Sequence, residues 1–111
     1  MNETNGFVKI CKVGDLKESE GKRFIVDDVD VAVFKYFDKI YAMNNYCPHQ
    51  LASVLYSGYI EDGFVTCPVH GWQFGLADGC IRGGVRGVDT YEVKVEKDDV
   101  FVKVFKREFS W

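Results

Sequence analysis

The chain has 111 residues, of which 47% are hydrophobic and 28% charged, and its formal net charge is −3. These values are ordinary for one globular domain with a modest core, and they leave no room for a second catalytic module. The acidic balance, without a concentrated stripe of lysine and arginine, argues against nucleic acid as a partner. No apolar run approaches the roughly 20 residues that a membrane-spanning helix needs. We therefore expect a single domain over residues 1–111 and no membrane segment.

The first residues and the cysteines bear on the compartment. Met1–Gly6 is polar and lacks the basic and apolar regions of a signal peptide, which by default predicts a cytoplasmic, reducing location. Cys11 and Cys80 suit such a location, and we interpret them as unpaired, partly buried thiols and not as a disulfide.

Alternation of apolar and polar residues predicts that most of the chain is β-strand. Asp27–Asp28 is predicted to turn a tight hairpin, and Lys97–Asp99 turns the clearest hairpin of the chain. Residues 51–56 are predicted to form one short helical turn that ends near Gly58. The predicted strands cover residues 7–13, 22–26, 29–37, 40–44, 59–66 (a hairpin with its tip at 61–63), 72–76, 89–96 and 100–106, with a turn of short-helix character at 14–20 and a glycine-rich loop at 82–87.

Two short motifs contain both histidines and both prolines of the chain. They are Cys47-Pro48-His49 and Cys67-Pro68-Val69-His70, and the seventeen residues Gln50–Thr66 separate them. In a Rieske [2Fe-2S] centre two thiolates hold one iron and two imidazoles hold the other, so each loop must give one ligand to each iron. The proline after each cysteine stiffens its loop by fixing φ, and Gly71 removes a side chain where the chain must turn. The predicted ligands are Cys47, His49, Cys67 and His70.

Two other uses of these four side chains remain open. They could bind a structural zinc ion, although zinc modules usually keep their ligands as C-x₂₋₄-C and H-x₃₋₅-H pairs. A redox disulfide between Cys47 and Cys67 is a further alternative, but it would leave both histidines without a role.

The segment resembles the signature of the Rieske family, C-x-H followed by C-x-x-H and Gly-Trp-x-Phe, here Gly71 to Phe74. Leu55 and Gly58 after the first motif, and Asp78-Gly79 after the second, also match the family pattern. The resemblance implies an all-β Rieske fold, with an antiparallel β-sandwich base and a small inserted cluster-binding subdomain at about residues 45–75. It also implies one [2Fe-2S] cluster per chain.

Where the chain departs from the high-potential Rieske proteins, it resembles the soluble, low-potential branch of the family. Those relatives carry an additional cysteine in each ligand loop, whereas here Gln50, Leu51 and Ala52 follow the first motif and Val69 precedes the last ligand. They also place hydroxyl groups near the cluster sulfurs, at positions that correspond to Trp72 and Phe74. Hydrogen bonds to sulfur stabilise the reduced cluster, so their absence predicts a reduction potential of about −150 mV.

The resemblance implies one-electron transfer and no substrate chemistry, because no histidine remains for a mononuclear iron site. The expected function is a carrier between a flavin reductase and a terminal oxidoreductase such as a ring-hydroxylating dioxygenase. The alternative is the small subunit of assimilatory NAD(P)H nitrite reductase, whose partner would be the large subunit. Cys47–Gln50 and residues 88–95 are similar to that subunit.

A docking surface is expected around the imidazoles of His49 and His70, where electrons would leave. The apolar residues near them are Leu51, Ala52 and Val69. Arg82 and Arg86 would either form a basic docking edge or be simply solvated charges. Residues 81–88 lack the proline usual in this loop of the family, and we expect that loop to be more mobile than in relatives.

Overall fold

The computed structural model describes residues 6–47, 52–53, 55–68, 71–82 and 87–105, and of Cys47, Ala52 and Ser53 it describes the backbone alone. Its strands are β1 Val8–Lys12, β2 Gly21–Val26, β3 Val29–Tyr36, β4 Lys39–Asn44, β5 Tyr46–Cys47, β6 Ala52–Ser53, β7 Tyr59–Glu61, β8 Phe64–Thr66, β9 Gln73–Gly75, β10 Thr90–Glu96 and β11 Asp99–Lys103. Short 3-10 helices span Val13–Asp15 and Leu55–Ser57. No helix in the described ranges is long and apolar enough to cross a membrane.

Six strands form an antiparallel base sheet in the order β1-β11-β10-β4-β3-β2. The β2–β3 turn is Asp27–Asp28, with φ of 48° and 69°, which confirms the predicted hairpin. The β3–β4 turn, Phe37–Asp38, has φ of 50° and 65°. Two successive positive φ values match the twist of the flanking strands. A phenylalanine is unusual in this conformation, and the carboxylate of Glu18 supports the turn by accepting a hydrogen bond from the Phe37 N–H at 2.8 Å.

Strand β3 lies between two hydrophobic cores. Val29, Val31 and Val33 pack in the base core, which also contains buried residues from β2, β4, β10 and β11. Ala32 and Phe34 point to the other face. There they pack in a second core with Met43, Leu55, Val65, Cys67, Phe74 and Leu76. A strand that serves two cores explains why this stretch of sequence is apolar at both odd and even positions.

Two small sheets lie between β4 and β10 in the sequence. β5 pairs with β6, and β7, β8 and β9 form a three-stranded antiparallel sheet. The second core packs this inserted part against β3 and β4. The all-β fold class, an antiparallel base with a small insertion, is therefore confirmed, while the bounds 1–111 and about 45–75 stay predictions.

Some predicted boundaries were wrong. The helical turn expected over residues 51–56 is confined to Leu55–Ser57, because Ala52–Ser53 instead pairs with β5; residues 51 and 54 lie outside the described residues. That ladder joins residues only five and seven positions apart, Cys47 to Ala52 and Tyr46 to Ser53, and it depends on context that local propensity does not reveal. The last hairpin turns at Lys97–Asp98, with Lys97 at φ 57°, and Asp99 already belongs to β11.

Candidate metal centre

The first predicted ligand loop is closed by the short ladder between β5 and β6. Tyr46 is opposite Ser53, and Cys47 is opposite Ala52. Cys47 and Ala52 are therefore neighbours across this ladder, and they bracket residues 48–51, which lie outside the described residues. His49 lies outside the described residues, and the side chain of Cys47 is not described.

Hydrogen bonds of Asn45 join the two ends of this loop to each other. Its side chain is fully buried, and its Oδ1 accepts a hydrogen bond from the Tyr56 N–H at 2.7 Å. Its backbone carbonyl accepts from the Leu55 N–H at 3.2 Å. On the other side, Asn45 Nδ2 donates to Asp30 Oδ1 at 3.1 Å.

The second predicted ligand loop begins where β8 ends. Cys67 is 1% exposed, its N–H donates to the carbonyl of Trp72 at 2.7 Å, and its carbonyl accepts from the N–H of Gly71 at 3.1 Å. These two bonds close a tight turn from Cys67 to Trp72. Gly71 has φ of 78°, a conformation that favours glycine. No described heavy atom lies within 4 Å of the position where a Cβ would stand, so backbone conformation and not crowding selects glycine here.

Of the four predicted ligands, only Cys67 has a described side chain. It belongs to the second core, next to Leu55, Val65 and Phe74, and it is not in a disulfide. A thiol that is buried yet unpaired, at the mouth of a tight turn, fits a metal-bound thiolate in apolar surroundings. Among the side chains that the structure describes, no three of His, Cys, Asp and Glu come together. His70 lies outside the described residues, so the ligand set stays a prediction.

Gln73 and Arg82 support the second loop, and the sequence alone did not suggest this. Gln73 Nε2 donates to Thr66 Oγ1 at 3.2 Å, across the base of the loop. Arg82 Nη1 donates to Gln73 Oε1 at 3.3 Å, and the Arg82 backbone N–H donates to the Gln73 carbonyl at 2.9 Å. The only local signal was an amide residue three positions after the last predicted ligand, which is too weak to predict a partner.

The guanidinium of Arg82 is engaged on the inserted sheet. It lies 4.8 Å from the ring centroid of Phe64, and its Nη2 is 3.8 Å from Asp62 Oδ2. The side chain is about half exposed, at 47%. The expectation that Arg82 is simply solvated is therefore wrong, because it anchors the start of the glycine-rich loop to β8 and β9. Arg86 lies outside the described residues.

Gly87 and Val88 are the described residues at the far end of the glycine-rich segment. The Val88 N–H donates to the Gly79 carbonyl at 2.9 Å. A Cβ at Gly87 would clash with the backbone carbonyl oxygen of Gly79 and would come within 2.6 Å of the Phe74 ring, so a larger residue would displace backbone as well as a side chain of the second core. Arg82 and Val88 are thus each hydrogen-bonded to the inserted part, and residues 83–86 between them lie outside the described residues, so the expected mobility of this loop stays a prediction.

Comparison with known proteins identifies the family. The sequence profile of the Rieske-like [2Fe-2S] domain matches residues 6–103. The chain therefore belongs to this family and carries a Rieske-type [2Fe-2S] cluster. The structural zinc module and the Cys47–Cys67 disulfide lose their support with this result.

The relatives are electron-transfer components. The chain is 36% identical over 96 residues to the 3-phenylpropionate/cinnamic acid dioxygenase ferredoxin subunit of Escherichia coli (strain K12), a match that covers 83% of this chain and 88% of that protein. It is 34% identical over 73 residues to the ferredoxin component of the alkene monooxygenase system of Xanthobacter autotrophicus, covering 66% of this chain and 60% of that protein. The chain is likewise an electron-transfer protein.

Solved structures share the fold. The ferredoxin of carbazole 1,9a-dioxygenase from Nocardioides aromaticivorans IC177 superposes with a TM-score of 0.80 at 28% identity, covering 87% of this chain and 96% of that one. A ferredoxin in complex with the reduced oxygenase of carbazole 1,9a-dioxygenase gives 0.80 at 26% identity, with coverages of 96% and 100%. The nitrite reductase [NAD(P)H] small subunit of Erwinia carotovora gives 0.76 at 23% identity, with coverages of 97% and 88%, and shows the fold alone.

Proposed function

We propose that this chain is the ferredoxin component of an oxygenase system, which takes one electron at a time from a flavin reductase and passes it to a terminal oxygenase. The observation that carries the proposal is the likeness to a dioxygenase ferredoxin subunit over 83% of the chain, at 36% identity. A similar ferredoxin fold binds a terminal oxygenase in the carbazole dioxygenase complex.

The proposed ligands are Cys47 and Cys67 for one iron and His49 and His70 for the other. The pairing of one cysteine with one histidine in each motif supports this set, as does the buried, unpaired thiol of Cys67. When bound, such a cluster supplies a centre that accepts and releases a single electron. The chain's own part is to hold the two loops at fixed places and to exclude water from the Cys67 side, where the second core packs.

A cytoplasmic location is part of the proposal. Cys11 and Cys80 are both free thiols, as expected for a protein that stays in a reducing compartment.

The alternative partner is the large subunit of an assimilatory nitrite reductase. The shared fold supports it, since the small subunit from Erwinia carotovora covers 97% of this chain in superposition. The sequence relatives favour the oxygenase system, because the dioxygenase ferredoxin subunit is 36% identical to this chain and the nitrite reductase small subunit is 23% identical.

Reconstitution tests the proposal and separates the two partners. The cluster-loaded protein is mixed with the reductase and the oxygenase or nitrite reductase encoded near its gene, and NADH oxidation coupled to product formation is measured. We expect coupling to the oxygenase. Coupling to nitrite reduction alone would replace the proposal with the alternative.

Two cysteine variants test the ligand set. Cys67→Ser should lose the iron and acid-labile sulfide together with electron transfer. Cys80→Ser, at a free thiol that is not in the ligand motifs, should keep all three. Full cluster content in Cys67→Ser would contradict the assignment of Cys67 as a ligand, and it would leave the proposed oxygenase partner unaffected.

A further inference from the structure

Asn45 is one of two buried polar residues in the described part of the chain, the other being Thr66. A buried amide is stable only when its donors and acceptor are used. Both residues stand just before a predicted cysteine ligand, Asn45 two residues before Cys47 and Thr66 one residue before Cys67. Burial of polar groups at these two places calls for a structural reason specific to the loops.

The bonds of Asn45 reach across the first ligand loop. Its Oδ1 accepts from the Tyr56 N–H at 2.7 Å, and its carbonyl accepts from the Leu55 N–H at 3.2 Å. The bonded residues are ten and eleven positions further along the chain, on the far side of the loop. The β5–β6 ladder has only two residue pairs and is weak by itself. The Asn45 bonds therefore supply much of the closure of this loop.

The same residue is tied to the base sheet. Asn45 Nδ2 donates to Asp30 Oδ1 at 3.1 Å, and the Asn45 N–H donates to the Asp30 carbonyl at 2.9 Å. Arg23 holds that carboxylate through Nε at 3.0 Å and Nη2 at 2.8 Å, a fork geometry that fixes its orientation. A continuous chain of polar contacts thus runs from Arg23 on strand β2, through Asp30, to the stem of the first loop.

We propose that Asn45 is a positioning residue, which fixes both ends of the first ligand loop to the base sheet and thereby controls retention and reduction potential of the cluster. This inference rests on the proposed ligand set. Partners that orient ligand-bearing groups typically change metal affinity by about 10–100-fold when they are removed. The amide suits the task because it is acceptor and donor at once, toward Tyr56 on one side and Asp30 on the other.

The test uses a donor–acceptor exchange in the cluster-loaded protein. Asn45→Asp keeps an acceptor for the Tyr56 N–H but sets a carboxylate against Asp30. Adding Asp30→Asn restores a donor between positions 30 and 45 and returns the net charge to that of the wild type. We expect Asn45→Asp to lose iron to a chelator about tenfold faster, to shift the reduction potential, and to speed amide exchange at Leu55 and Tyr56. The double variant should recover most of all three.

A control separates positioning from mere stability. Val100→Ala removes a fully buried side chain of the base core and should lower the free energy of unfolding without moving the potential or the exchange at Tyr56. The proposal is overturned if Val100→Ala, at equal loss of stability, releases iron as fast as Asn45→Asp, or if the double variant recovers nothing. Should Asn45→Asp not assemble a cluster, assembly in the double variant supports the proposal and failure in both overturns it. Iron loss in Cys67→Ser tests the ligand set separately.

Discussion

The side-chain amide of Gln73 donates a hydrogen bond to the hydroxyl of Thr66 across 3.2 Å, and these two residues bracket the second predicted ligand loop. They are also register partners between β8 and β9. The other end of the amide accepts from Arg82. The base of this loop is therefore closed by side chains as well as by the backbone ladder.

Gln73→Leu should loosen the second loop, because leucine keeps most of the volume but neither hydrogen bond. We expect the free energy of unfolding to fall by about 1 kcal/mol and iron release to a chelator to become several-fold faster. Chemical denaturation and the time course of iron release measure the two effects. Glu92→Leu, an exposed position on β10 of the base, is the matched control and should leave iron release unchanged. Equal release rates in Gln73→Leu and the wild type would show that the backbone ladder suffices.

Phe74→Tyr should raise the reduction potential. Phe74 is fully buried in the same core as Cys67, so a new hydroxyl there would lie in apolar surroundings. A hydrogen bond of about 1.5 kcal/mol to a sulfur of the reduced cluster corresponds to roughly 60 mV for one electron. Protein-film voltammetry measures the change from the wild-type potential, which we expect to be about −150 mV.

Phe64→Tyr is the control for this change. Phe64 lies under the guanidinium of Arg82 and is not part of the second core, so its hydroxyl should leave the potential unaltered. An unchanged potential in Phe74→Tyr with an intact cluster spectrum would show that the hydroxyl does not reach a sulfur. A wild-type value above about +100 mV would contradict assignment to the low-potential branch.

Charge reversal at Arg82 and at Arg86 should slow reduction for different reasons, so the two rate defects should depend differently on salt concentration. Arg82→Glu sets a second carboxylate near Asp62 and removes the contact with Gln73, so it should slow reduction by weakening the second loop. We expect this defect to persist at high salt. Arg86→Glu, if it slows encounter with a partner, should do so at low salt only. Stopped-flow reduction across ionic strengths measures both; a defect of Arg82→Glu that vanishes at high salt would assign Arg82 to docking.

Cys11 should make stability depend on pH in the alkaline range. Burial raises the pKa of the Cys11 thiol, Asp15 raises it further and Lys22 opposes the change. The unfolded chain therefore loses this proton first, near the usual thiol value of about 8.5. The contribution to stability is fully present below that pH and is lost as the pH rises through the folded pKa.

Cys11→Val tests this because valine cannot titrate. Urea unfolding at pH 7 and at pH 10 should show that the wild type loses stability relative to the variant at the higher pH. Parallel changes in the two proteins would mean that the thiol titrates alike in the folded and unfolded chains.

The sequence by itself determined the motifs and the local turns. The ligand chemistry of a [2Fe-2S] cluster explains the short spacings between Cys47, Cys67 and the two histidines. A spacing can be recognised in the sequence without knowledge of the fold. Asp27–Asp28 likewise predicts its hairpin, since aspartate tolerates the positive φ that such a turn requires. The alternation of apolar residues located most strands, because the two faces of a strand differ in burial.

Only the tertiary structure decided what holds the loops in place. Asn45 meets Asp30 fifteen residues earlier and Tyr56 eleven residues later. Arg82 meets Gln73 only because the chain after β9 turns back beside that strand. These contacts depend on which distant segments are brought together by packing the two cores on either side of β3. Local sequence carries propensity and spacing, whereas the partner of a buried amide or an engaged arginine is fixed by long-range packing.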